Sequence, residues 1–83
     1  MAKNLLRNNL KKYRKKFKIT QEELANKLGV KKSYYSDLER GVYTPSTLIS
    51  FQICEAINEI VYERSGLRSR ILVDYLFYID SNV

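Results

Sequence analysis

For much of the chain, apolar residues recur at spacings of three and four. In LLRNNLKKYRKKF, Leu6, Leu10, Tyr13 and Phe17 fall at +4, +3 and +4, which is one helical face; Arg7, Lys11, Lys12, Arg14, Lys15 and Lys16 take the other faces. The next helix, QEELANKL, has a clear start. Thr20 can cap it, Glu23 three residues on completes a capping box, and Ile19 and Leu24 are placed to form a hydrophobic staple. Gly29 can take the left-handed conformation that ends the helix. A short helix over roughly 31–40 follows and ends at Gly41. VYTPS then reads as a turn, because Pro45 holds Thr44 extended, and either Thr44 or Ser46 can cap the helix after it.

That helix, about 46–61, is the most apolar. Ile49, Ile53, Ala56, Ile57 and Ile60 form a continuous stripe, with Leu48, Phe51 and Cys54 beside it, a pattern wide enough to predict a helix central to the core. YERSGLRSR is polar and ILVDYLFYI is apolar, which predicts a last helix near 70–79. A β-hairpin across IVYERSGLRSRILV is the alternative, from its β-branched content. The pattern as a whole predicts an all-α fold.

Length and charge sharpen this. With 83 residues the chain is expected to be one small domain. Residues 1–42 carry twelve basic and four acidic side chains, a balance of +8; residues 43–83 carry three and five, a balance of −2. Such asymmetry points the first half at a polyanion. The chain has no His and a single Cys, Cys54, which excludes a His-based catalytic centre, an internal disulfide and a multi-cysteine zinc site. No metal or cofactor is expected. Cys54 reads as a small core residue, in keeping with a reducing cytosol. No apolar run is long enough for a membrane span, and the basic N-terminus lacks the apolar region of a secretory signal.

Within TQEELANKLGVKKSYYSDLERG, Ala25 supplies the small side chain that two steeply crossing helices need, and Gly29 supplies the turn. Leu24, Leu28, Val30, Tyr35 and Leu38 form the inside of the corner. This is helix-turn-helix patterning over 20–40. Residues 6–60 resemble the phage repressor/Cro (Xre) family: the matching strings are TQEELANKLGV, YYSDLERG, the TPS turn and AINEI, and LVDYLFY resembles the family's closing segment. The resemblance implies a compact bundle of about five helices. Its third helix would enter the DNA major groove, and homodimers would read palindromic half-sites. Three features depart from the family pattern. Tyr35 stands where Val or Ile is usual, Lys31 replaces a Ser or Thr cap, and about ten residues, VYERSGLRSR, are inserted before the closing segment. The insertion leaves open a hairpin or helix extension near 61–71.

By the same resemblance Gln21 contacts a DNA phosphate, Lys32, Ser33 and Asp37 read bases, Tyr43 and Thr44 lie in the loop that meets the backbone, and Arg14 and Glu39 form a structural ion pair between the first and third helices. The recognition helix also supports a physical reading. Ser33, Ser36, Asp37 and Arg40 form the stripe opposite Tyr35 and Leu38, and Tyr34 offers a phenol and a ring. Lys31 and Lys32 sit at the positive end of the helix dipole, an arrangement that an incoming phosphate or guanine edge would make favourable. Asp37 can accept from cytosine or simply pair with Arg40. Most of the run Lys11–Lys18 reads as a solvated face that adds long-range attraction.

The expected function is therefore a sequence-specific regulator of transcription that binds double-stranded DNA, a repressor acting as a homodimer. It would be cytoplasmic, of bacterial, phage or mobile-element origin, and not an enzyme. Residues 60–83 would carry dimerisation through Tyr62, Tyr75, Phe77 and Tyr78. The rival is an antitoxin-like or adaptor module that uses the same fold to hold a protein partner. A membrane role is disfavoured because Leu6, Leu10, Tyr13 and Phe17 are committed to the core.

Overall fold

In a computed structural model, which describes residues 5–80, the chain runs β1 (Leu5–Asn8), α1 (Leu10–Lys16), α2 (Gln21–Leu28), α3 (Lys32–Glu39), α4 (Thr47–Ser65), α5 (Val73–Leu76) and β2 (Phe77–Asp80). The start of α2 follows from its cap. The Thr20 hydroxyl accepts the Glu23 N–H at 3.0 Å, and the Glu23 carboxylate accepts the Thr20 N–H at 2.9 Å. Gly29 ends α2 at φ 75°, and the Val30 N–H then donates to the Ala25 carbonyl at 3.0 Å, which turns the chain tightly into α3. Leu24 and Ala25 of α2 meet Tyr35 and Leu38 of α3 inside the corner, all of them buried.

The ends of the chain depart from the helical expectation. β1 and β2 pair antiparallel, with Leu6 opposite Ile79, Arg7 opposite Tyr78 and Asn8 opposite Phe77. The fold is thus mostly helical rather than all-α: among the described residues there are five helices and a two-stranded ribbon. Leu6 lies in β1 and is exposed, not on the buried face of α1. The expected helix over 70–79 shrinks to α5, and the strand that follows uses the β-branched and aromatic run Phe-Tyr-Ile. The ribbon roofs one end of the core. Leu10, Ile71, Leu76 and Phe77 are buried beneath or beside it, and the Asn9 N–H donates to the Leu76 carbonyl at 2.7 Å.

The hairpin alternative across 60–73 does not form. Instead α4 continues to Ser65 and stops at Gly66, whose φ is 72°. Its extra turn is tied to α2: Lys27 bridges Glu59 at 3.3 Å and Glu63 at 2.9 Å, and Arg64 pairs with Glu23 and donates to the Lys18 carbonyl at 2.9 Å. Residues 67–72 form no regular element, and the Asn58 side chain pins the later part of them. Its Nδ2 donates to the Ile71 carbonyl at 3.2 Å, and its Oδ1 accepts the Ile71 N–H at 2.9 Å and the Ser69 hydroxyl at 2.8 Å.

α4 is one-sided, contrary to its expected place at the centre. Ile53, Cys54, Ala56, Ile57 and Ile60 face the core, but Leu48 and Phe51 are 66% and 59% exposed. The reason is shape: α2 and α5 pack on one flank of α4, and a chain this short supplies little to cover the other. Two truncations separate the flanks. Leu76→Ala, at a fully buried site, should lower unfolding free energy by about 2–5 kcal/mol. Leu48→Ala should change it by no more than about 0.5 kcal/mol, as at an ordinary surface position. Urea unfolding followed by circular dichroism measures both.

Candidate nucleic-acid interface

Three helices meet at one carboxylate. Glu39, the last residue of α3, receives the Arg14 guanidinium of α1 as a fork: Nε to Oε2 at 2.6 Å and Nη2 to Oε1 at 3.2 Å. Gln21, the first residue of α2, donates its Nε2 to Oε1 of Glu39 at 3.2 Å. Arg14 also donates Nη1 to the Ile19 carbonyl at 3.0 Å, so its fork is used on both sides. The Arg14 and Glu39 side chains are only 11% and 4% exposed. Burial alone pushes the Glu39 carboxyl up, but the hydrogen bonds from Arg14 and Gln21 help hold it below its ordinary value. The Glu39 contact in turn raises the pKa of Arg14. Tyr35 lies fully buried beside this cluster; burial, followed by the Glu39 charge, raises its phenol. Its hydroxyl has no hydrogen-bond partner within standard geometry among the described residues, so its link to Glu39 and Arg14 is mainly electrostatic.

A second clamp holds the same end of α3. Asn8 of β1 donates Nδ2 to the carbonyls of Leu38 (3.1 Å) and Glu39 (3.3 Å), and its Oδ1 accepts the Leu10 N–H at 3.1 Å. One carboxamide thus serves two carbonyls in the last turn of α3 and an open N–H at the start of α1. Sequence reasoning missed Asn8 because its role depends on a strand pairing across the length of the chain. The only local signal was an Asn just before an apolar helix start, where Asn is favoured.

Outward from these clamps lies a basic face. Lys31 caps α3 without a side-chain hydrogen bond, and Lys31, Lys32 and Ser33 are exposed at its N-terminus. Beside them an open recess is lined by Lys15, Lys18, Thr20, Gln21, Glu22 and Lys32, among others. The recess gathers cations from α1, the following turn and α3 around the first turn of α2, whose leading N–H groups have no intrahelical acceptor. Lys15 and Lys18, assigned from sequence to a solvated face, are therefore part of the candidate site. Tyr34 stacks on Tyr43 with ring centroids 5.7 Å apart, which joins α3 to the 41–45 loop. Thr44 is exposed on that loop, and Ser36 is half-buried. Asp37 pairs with Arg40 at 3.5 Å, the plainer of its two expected roles, while Arg40 remains largely exposed.

The aromatics expected to form a dimer contact are dispersed. Phe77 is buried in the chain's own core, Tyr75 stacks on Tyr13 at 6.3 Å, and Tyr62 and Tyr78 are exposed on α4 and β2 respectively. Among the described residues no cluster of His, Cys, Asp or Glu could hold a metal ion, and no helix is long and apolar enough to cross a membrane.

Both clamps are open to test. Glu39 titrates lower folded than unfolded, so the stability it contributes is complete above the unfolded glutamate value and is lost as pH falls through the lowered folded one. Glu39→Gln should cost about 3 kcal/mol at neutral pH by leaving Arg14 without its charge partner, and should flatten the loss of stability below about pH 4.3. Thermal melts over a pH series measure this. Asn8→Ala should cost about 1–3 kcal/mol through the groups it leaves unpaired and should speed hydrogen exchange at the amides of Arg40 and Val42, which close the end of α3.

Comparison with known proteins agrees with this geometry. The helix-turn-helix family profile matches residues 10–60, from the start of α1 into α4. An uncharacterized HTH-type transcriptional regulator of Archaeoglobus fulgidus is 40% identical over 53 residues, which is 64% of this chain and 75% of that protein. One of Methanocaldococcus jannaschii is 42% identical over 50 residues, 60% of this chain and 76% of that protein. YgzD of Bacillus subtilis, named likewise, is 34% identical over 53 residues, 64% of this chain and 80% of that protein. With the capped α2, the glycine turn, the inward Tyr35 and Leu38 and the Arg14–Glu39 clamp in place, the chain belongs to the Xre/Cro-like helix-turn-helix family.

Proposed function

We propose that this chain is a transcriptional regulator that binds double-stranded DNA, with the N-terminal part of α3 in the major groove. The observation that carries the proposal is the gathering of Lys15, Lys18, Gln21 and Lys32 around one recess at the start of α2, beside the exposed start of α3. A phosphate in that recess would meet open N–H groups, the helix dipole and several ammonium groups together. Glu39 orients the Gln21 amide, so Gln21 approaches the backbone from a fixed position.

On this reading Lys32 and Ser33 reach base edges, Asp37 stands behind them and accepts from a base if it leaves Arg40, and Lys31, Tyr43 and Thr44 meet sugar and phosphate. Ser36 and Tyr34 support the same face, and Arg40 lies at its edge. Arg14 is structural. The protein acts in the cytoplasm as a repressor, on a palindromic operator and as a homodimer, and it is not an enzyme. Dimerisation follows from the family geometry, in which a two-fold protein matches a two-fold site. Tyr62 and Tyr78 remain available for such a contact, whereas Phe77 is used inside the chain.

Binding measured by fluorescence anisotropy on a selected site and on unrelated duplex separates the roles. Lys18→Ala should weaken both duplexes and reduce the salt slope by about 1, as for one phosphate neutralised by one lysine. Lys32→Ala or Ser33→Ala should change which bases are preferred, because each bidentate pairing with a base edge supplies about 1–3 kcal/mol of discrimination. If neither variant alters the selected sequence, the placement of α3 is wrong.

A further inference from the structure

Beyond the DNA face, the exposed apolar side chains are not scattered. Along α4, Leu48, Phe51, Glu55, Glu59 and Tyr62 fall three and four apart and are exposed, with Glu59 at the edge that reaches Lys27 of α2. Phe51 is 59% exposed, Tyr62 50%, and Leu67, just beyond the helix, 69%. Glu55 and Glu59 separate Leu48 and Phe51, near the start of α4, from Tyr62 and Leu67 at its end.

The charges on this flank are divided in a particular way. The inserted segment, pinned by Asn58, forms the second wall of an open groove of about 580 Å³ along α4. The α4 wall carries Glu55 and Glu59, and the segment wall carries Arg68 and Arg70. Arg68 lies over the Tyr62 ring, 5.4 Å from its centroid, which holds the guanidinium at the rim. Glu55 and Arg70 have no ion-pair partner among the described residues, although both line the groove. One surface thus bears an acidic wall and a basic wall, with the Tyr62 ring between them. A partner of uniform charge would be attracted by one wall and repelled by the other. A two-fold rotation, by contrast, sets the acidic wall of one copy against the basic wall of the other, twice, which is the self-complementarity an isologous interface requires.

We propose that this groove is the homodimer interface. Glu55 of each copy meets Arg68 and Arg70 of the other, and Tyr62 of each closes between them. The inference rests on the homodimer reading above and supplies its surface. It also gives the inserted segment a task, since Asn58 holds Arg68 and Arg70 at a fixed distance from α4.

Charge reversal with rescue in trans tests it by sedimentation equilibrium of the full chain. Glu55→Arg alone, and Arg68→Glu with Arg70→Glu alone, should each weaken the dimer at least about tenfold, because like charges then face each other twice. An equimolar mixture of the two proteins should recover dimer at wild-type affinity as the heterodimer, in which both contacts are again attractive. All these side chains are exposed except the pinned backbone beside them, so far-ultraviolet circular dichroism should be unchanged. A mixture that fails to recover, or variants that dimerise like wild type, overturns this surface while leaving the homodimer standing. A wild type that stays monomeric at concentrations where it binds duplex DNA, and on that DNA, overturns both and leaves the groove to a different protein partner.

Discussion

The carboxylate of Glu39 is bonded by a side chain from each of the other two helices of the N-terminal half. Arg14 comes from α1, Gln21 from α2, and Glu39 itself ends α3. A buried ion pair of this kind contributes less to net stability than to geometry, because its Coulomb gain is largely offset by desolvation. What it supplies is a single allowed arrangement: removing either partner strands a charge in a site that is almost fully enclosed. α3 is only eight residues long and isolated helices of that length do not hold. Its position is set by what grips its C-terminal end, namely this carboxylate and the Asn8 carboxamide, together with the Tyr35 and Leu38 side chains beneath it.

This arrangement divides labour along α3. The C-terminal end is clamped and occupied with internal contacts, whereas the N-terminal end is exposed and bears Lys31, Lys32 and Ser33 with no ion pair or side-chain hydrogen bond among the described residues. The helix dipole disfavours those cations at that end by a few tenths of a kcal/mol each. A sequence shaped for folding alone gains nothing by placing them there, so the cost points to a ligand that reverses its sign. The recess around Gln21 reinforces the point, since Lys15 and Lys18 arrive there from a different part of the chain.

How much of this was legible in the sequence depended on how local its cause was. The capping box at Thr20, the stop at Gly29, the inward Tyr35 and Leu38 and the outward stripe of α3 follow from neighbours within a few residues, and each stands as expected. The Arg14–Glu39 pair was legible only through family resemblance, because 25 residues separate the partners. The ribbon was not legible. Leu6 fits a helical period with Leu10, and only a partner strand some seventy positions away converts that stretch to β structure. Asn8 was hidden for the same reason. The width of the apolar stripe on α4 was legible but misassigned: Leu48 and Phe51 suggested a helix buried on all sides, and the structure leaves them on an open flank.

Everything proposed for this chain depends on α3 being a DNA-reading helix that the Glu39 and Asn8 clamps hold in place. Selection of bound duplexes from a random library tests it most directly. The predicted result is enrichment of one short motif, recovered as an inverted repeat whose half-sites lie about one helical turn apart. Recovery of duplexes with no common motif, at an affinity equal to that for the unselected library, would contradict it.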